Sequence, residues 1–226
     1  AFAFTINPVN FQVTSQHRFT YAPVNYCANP ATGSFYVFRN RGSGSGAYIE
    51  LLQYDSACTQ IGDPLEVSAV GVESSIRSLN HCPDGGYLLA GSRGSDALLV
   101  RFNSSMQITW EQLYTGDGTG TQLLNHAIQT SSGTILAAGK DDSEGYILCA
   151  NYSGSMLWQS TSGNAEYANV CETAAGNFAI VGAYAVPFNP RPTVLLYSPT
   201  GDYLYSDSTF DYYGWYNSIS ASGSQG

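Results

Sequence analysis

The chain has 226 residues, of which 43% are hydrophobic and only 11% charged, with 24 Gly and 17 Tyr. That is enough apolar material for a large core in one domain over 1–226, and a composition of strands and turns that excludes a set of solvated charged helices. The net charge of −9, with no Lys/Arg cluster to offset it, argues against nucleic acid as a partner, and no apolar run reaches the ~20 residues of a membrane span.

In chain order, Ala1 to Val13 aligns with the later stretch Ala97 to Thr109, so the N-terminus reads as the third and fourth strands of a repeated unit. The repeat is marked by an Asn in five similar settings, Asn25, Asn80, Asn125, Asn169 and Asn217, with spacings of 55, 45, 44 and 48. A period of that length points to stacked all-β units. After each Asn come a short polar turn and an apolar strand, as in Tyr87 to Gly91, Ile135 to Gly139 and Phe178 to Gly182. A third strand follows in Asp96 to Phe102, Gly145 to Asn151 and Thr193 to Tyr197. A turn then leads to a fourth strand carrying Trp110, Trp158 or Tyr205.

The Asn-bearing strand is expected innermost, its Asn sharing a face with Cys27, Cys82, Ala127, Cys171 or Ile219 and packing on the neighbouring unit. Around Asn217 the chain offers an innermost strand but no second strand before Gly226. The fifth unit is thus expected to be closed by both chain ends and to lack one strand, a slot filled by residues following Gly226 or by another molecule.

Five cysteines cannot all pair, and three of them, Cys27, Cys82 and Cys171, are expected at one place in different inner strands, which suits packing better than disulfides. His81 and His126 follow equivalent Asn residues, so a repeated structural role is expected of them rather than metal or acid-base chemistry. Of the acids, only Glu172 falls within an inner strand, which leaves no paired carboxylates for glycoside hydrolysis. Asp141-Asp142-Ser143-Glu144 reads as a solvated turn, with no calcium-loop spacing. No catalytic residue, metal site or cofactor is assigned. The stretch from Pro187 to Pro192 is expected as a stiff loop.

In wording the repeat resembles the secreted β-propeller repeats of the broad kelch and quinoprotein-like kind, most clearly from Ile76 to Tyr205. The resemblance implies an all-β propeller of about five four-stranded blades and names no activity. With no catalytic constellation, the expectation is a non-enzymatic extracellular binding or surface-structural protein. Its partner would be a glycan or a protein surface, with self-assembly through the open strand slot. A lectin with repeated sites and a polysaccharide-acting or quinone-dependent enzyme are the alternatives. Tyr212, Tyr213 and Trp215, in the densest aromatic cluster, are the expected binding residues, because exposed rings stack on sugars and anchor interfaces. The start at Ala1 fits a removed signal peptide, and Asn103-Ser104-Ser105 and Asn151-Tyr152-Ser153 are candidate glycosylation sites.

Overall fold

The computed structural model describes residues 2–6, 13–18, 25–29, 32–41, 48–67, 74–115, 120–184, 190–208, 214 and 216–220. Among them there is no helix. Eighteen strands form a two-stranded hairpin, β1 (Phe2–Ile6) with β2 (Val13–Arg18), followed by four antiparallel four-stranded sheets. The first sheet holds β3 (Asn25–Ala28), β4 (Phe35–Arg41), β5 (Tyr48–Tyr54) and β6 (Gln60–Val67). The second holds β7 (Ser74–His81), β8 (Tyr87–Arg93), β9 (Asp96–Phe102) and β10 (Ile108–Tyr114). The third holds β11 (Gln122–Gln129), β12 (Ile135–Asp141), β13 (Glu144–Ala150) and β14 (Met156–Ser162). The fourth holds β15 (Ala165–Glu172), β16 (Phe178–Tyr184), β17 (Arg191–Tyr197) and β18 (Tyr203–Asp207).

Each sheet is a meander in chain order, as the four-strand repeat predicts. The first strands of successive sheets meet, β7 packing against both β3 and β11, and β11 against β15. A sheet in this stack must be apolar on both faces, because it has a neighbour on each side. The second strands satisfy this with continuous apolar runs rather than alternation, and every residue from Tyr87 to Ser92 is buried.

The core is divided accordingly. Tyr87, Leu89, Leu98 and Val100 face the first sheet and pack with Phe38, Leu51 and Met106. Leu88, Ala90 and Leu99, one residue out of phase, face the third sheet and pack with Leu124, Ala127 and Tyr146. A third cluster joins Leu136, Ile147 and Cys149 to Val170, Phe178 and Leu195 across the last interface. Each fully buried Leu or Phe contributes about 1.5–3 kcal/mol.

Three repeated devices set the register. The innermost strand carries a one-residue bulge, at Arg77, Asn125 and Ala168, opposite Gly91, Gly139 and Gly182. A Cβ on those glycines would lie 2.0 Å from Ser75 O, 1.8 Å from Leu123 O and 2.1 Å from Glu166 O, so the bulged backbone fits only against a residue without a side chain. The third-to-fourth-strand turn is capped by a side chain. Asn103 Oδ1 accepts from the Ser105 and Gln107 amides at 2.9 and 3.0 Å, and Asn151 Oδ1 from those of Ser153 and Ser155 at 3.0 and 2.9 Å. Asp55 caps its own turn in the same way.

The third device lies at the outer rim. Trp110 Nε1 donates to Tyr152 O of the next sheet at 3.1 Å, and Trp158 Nε1 donates to Pro199 O of the next at 3.1 Å. Each indole lies on the glycine of the turn it reaches, Gly154 and Gly201, whose φ values are +84° and +90°. Between the first two sheets the same places hold Ile61 and Met106, which line one hollow of about 340 Å3.

Several expectations are corrected. The recurring Asn residues are not structurally equivalent. Counting from the glycines opposite the bulge, Ser78, His126 and Asn169 occupy one position, while Asn80 lies two residues further on and Asn125 is itself the bulge residue. His81 and His126 are therefore unrelated by the repeat. Cys82 follows the end of β7, whereas Cys27 and Cys171 do share a register position. Arg191 and Pro192 belong to β17, paired with Tyr184 and Ala183, rather than to a loop, and residues 187–189 lie outside the described set. Finally, Tyr216 to Ser220 form no strand, so the innermost strand expected around Asn217 is not present among the described residues.

Candidate functional site

Where the first strands converge they enclose a cleft of about 490 Å3. The bulges create it, by turning Arg77 and Asn125, and beside them Ser78, His126 and Asn169, toward the space between strands; Glu166 and Asn217 complete the polar wall. Asn217, expected in an innermost strand, thus reaches the innermost region without being in one.

Asparagines stitch the inner strands together. Asn80 Nδ2 donates to Ala127 O at 2.9 Å. Asn125 Nδ2 donates to Tyr167 O at 2.9 Å and to Glu166 Oε1 at 3.1 Å, and Lys140 Nζ lies 3.8 Å from Glu166 Oε2. The prediction that this face meets the neighbouring unit holds, although the contact is hydrogen-bonded as well as apolar.

Two wall atoms are buried with no hydrogen-bond partner, Ser78 Oγ and His126 Nδ1. An unpaired buried polar atom costs about 1–3 kcal/mol. Desolvation lowers the His126 pKa from 6.5 to about 4, since burial disfavours the imidazolium. Although the residue keeps some exposed area, its Nδ1 is enclosed, and the ring is neutral at pH 7, offering one donor and one acceptor.

Glu166 is the one carboxylate among the described residues of the wall. Glu172 is occupied elsewhere, accepting from the Ser131 amide at 2.6 Å and the Ser131 hydroxyl at 2.8 Å to clamp a turn of the neighbouring sheet. Asp141 accepts from Gln122 Nε2 at 2.7 Å, and Asp142 from the Thr121 amide at 2.8 Å, so both belong to loop packing. Asp84 pairs with Arg101, which also donates to Gln129 Oε1 at 3.1 Å across the sheet interface. Burial raises the Asp84 pKa, but bonds from Arg101 and the Gly86 amide outweigh it and bring it to about 2. Among the described residues no three His, Cys, Asp or Glu side chains gather as metal ligands. The five cysteines are unbridged, and burial pushes the Cys27 and Cys149 thiols up to about 11, away from thiolate reactivity.

The expected binding residues Tyr212, Tyr213 and Trp215 lie outside the described residues. Two described residues near them in sequence have contacts. Gly214 N donates to Pro190 O at 2.9 Å, ahead of β17, and Asn217 lines the cleft. The sequence-predicted aromatic segment and the polar cleft are therefore neighbours along the chain. Sequence reading singles out Asn125, Asn169, His126 and Asn217 and misses Arg77, Ser78 and Glu166, which lie within two residues of Ile76 and Tyr167, the partners of Gly91 and Gly182.

No family model matches the chain, and no curated protein does. Solved structures do. A Dos1 propeller superposes with a TM-score of 0.64 at 8% identity, over 94% of this chain and 56% of that one. TolB from Acinetobacter baumannii gives 0.51 at 13% identity, covering 91% and 47%. The dihydro-heme d1 dehydrogenase NirN, in complex with DHE, gives 0.50 at 10% identity, covering 92% and 52%. The chain spans about half the length of these proteins, and likeness at such identity shows the fold alone. Together with four consecutive four-stranded meanders whose first strands converge, it establishes that this chain is a β-propeller.

Proposed function

We propose that the protein is a non-enzymatic, extracellular binding module that holds a polyhydroxylated ligand, a glycan, in the cleft where the inner strands converge. The observation that carries this reading is the polar wall of the cleft, where Ser78, Asn125, His126, Asn169 and Asn217 gather. A hydroxyl, a neutral imidazole and carboxamides each give and take hydrogen bonds, as sugar hydroxyls do, and they suit a neutral ligand better than a phosphate. The aromatic segment of Tyr212, Tyr213 and Trp215 supports the reading from the sequence, since it adjoins Asn217 at the cleft and could supply a stacking face. One carboxylate among the described residues of the wall suits binding better than hydrolysis, which takes two.

A glycan array followed by calorimetry tests the proposal. The expected result is a ligand whose affinity falls at least tenfold in Asn169→Ala and His126→Ala, with folding retained. Failure of every glycan to bind, or binding indifferent to both substitutions, overturns it. Asn103 and Asn151 are proposed glycosylation sites on the same reading. A mass decrease after deglycosylation of material from a eukaryotic secretory host checks them, and an unchanged mass removes that support.

A further inference from the structure

We propose that the hollow between the first two sheets is a second binding site, for a small aromatic amine: one planar ring such as an indole, carrying a single positive charge. The other sheet junctions show what the fold puts at this place. Trp110 stands opposite Arg101 and Trp158 opposite Cys149, each partner lying two residues before the side chain that caps its turn, Asn103 or Asn151. Each indole lies on a glycine of the next sheet's turn, Gly154 or Gly201, and donates to the carbonyl two residues before it, that of Tyr152 or Pro199. The first junction has the same frame and no ring. Ile61 stands opposite Gln53, two residues before the capping Asp55, and Met106, at φ +59°, holds the place of Gly154. Ile61 has no side-chain donor, and Ser104 O, in the place of Tyr152 O, is taken by no donor among the described residues.

The hollow of about 340 Å3 is what these exchanges leave, with walls from β4, β5, β6 and the turn after β9. At the second junction, where Trp110 is present, the remaining hollow is about 220 Å3 and runs along Gln112 to Thr115 instead. The larger volume lies within the range of small-molecule pockets, and its makeup fits a ring. Leu51, Leu65 and Met106 supply apolar surface, and a thioether beside an aromatic ring is favourable. Ser104 O is the acceptor for a ring N–H, as Tyr152 O and Pro199 O are for the two indoles of the chain. Asp63 is the one charged residue among the described residues of the lining, in a chain of net charge −9. A cationic group on the ring is therefore attracted and a carboxylate repelled. Shape and acceptor select the ring, and the sign of the local field selects the amine.

The test reads the methyl signals of the chain's 2 methionines by NMR, Met106 in this hollow and Met156 in the smaller one, told apart with Met156→Leu. Titration with tryptamine should shift the Met106 methyl, with a Kd of about 1 mM or below, and leave that of Met156 in place. Indole-3-acetate should bind about tenfold more weakly. Asp63→Lys, at an exposed residue, should reverse that order with an unchanged far-UV spectrum. A Met106 signal that stays in place at about 10 mM tryptamine overturns the proposal, as does a shift of Met156 instead. So does equal affinity for the two indoles, or an order that survives Asp63→Lys.

Discussion

Gly139→Ala is expected to be among the most damaging small substitutions in the molecule. The new Cβ would sit 1.8 Å from Leu123 O and 2.8 Å from Leu124 Cα, both backbone atoms of the bulged strand β11. An ordinary carbon–oxygen contact is about 3.3 Å, so the strands must part by more than ~1 Å or the bulge must be undone. Undoing it moves Gln122 to Leu124 by one residue and turns Leu124, fully buried in the central core, toward the wrong face. Losing about two ladder hydrogen bonds at ~1 kcal/mol each, plus ~1–3 kcal/mol of overpacking, gives a cost of about 3–5 kcal/mol. In a chain of this size that lowers Tm by roughly 10 °C. Urea titration followed by circular dichroism measures it. Gly163→Ala, with nothing within 4 Å of its Cβ, is the control and should cost under ~0.5 kcal/mol. A Gly139→Ala protein within ~1 kcal/mol of the parent would refute the account of the bulge.

Gly201→Ala adds a Cβ 2.8 Å from Trp158 at φ +90°, and should cost about 2 kcal/mol while shifting Trp fluorescence. Unchanged emission would mean that the indole does not rest on the turn. The Arg101 side chain is 4% exposed and that of Asp84 35%, so removing the carboxylate strands a buried cation whereas removing the guanidinium frees a carboxylate near water. Asp84→Ala should therefore destabilise by about 3 kcal/mol and Arg101→Met by less, an order that paired denaturation curves would reverse if the ion pair were not the main term. His126 has a folded pKa near 4 against 6.5 unfolded, so the unfolded chain takes up its proton first as pH falls. Stability is therefore undiminished by this group above pH 6.5, and the loss grows to about 3 kcal/mol as pH falls to 4. His126→Asn should remove that slope; identical pH profiles of stability for the two proteins would sink the assignment.

The strands were legible because each third strand is an apolar run closed by an Asn or Ser turn, and Asp96–Phe102 is found where the sequence placed it. The half-sheet at the N-terminus was legible for the same reason, confirmed by its bulge. The innermost strands were not. They carry an extra residue opposite a glycine, and aligning on Asn absorbed that insertion differently in each unit, so Asn80 and Asn125 were matched although three residues separate their places in the strand. Pairing His81 with His126 inherited the same slip. His81 in fact stands edge-on to Tyr87 at 5.3 Å, in packing. The cleft has no local signature, because its wall comes from strands more than 40 residues apart brought together by sheet stacking.

The rim contacts also carry information about order. A large ring on one sheet meets a glycine on the next at Trp110 with Gly154 and at Trp158 with Gly201, while medium side chains share the load at Ile61 with Met106. Each junction is thus keyed by size, and the key is split between two repeats. Exchanging the second and third sheets as whole cassettes would set Ile61 over Gly154 and leave a void, and would press Trp158 onto Met106, while Trp110 would still meet a glycine, Gly201. Duplicating a repeat would be tolerated only where lock and key match. A propeller assembled this way can gain or lose units at some junctions and not at others, so its present sequence of sheets is itself a record of which insertions the rim could accept.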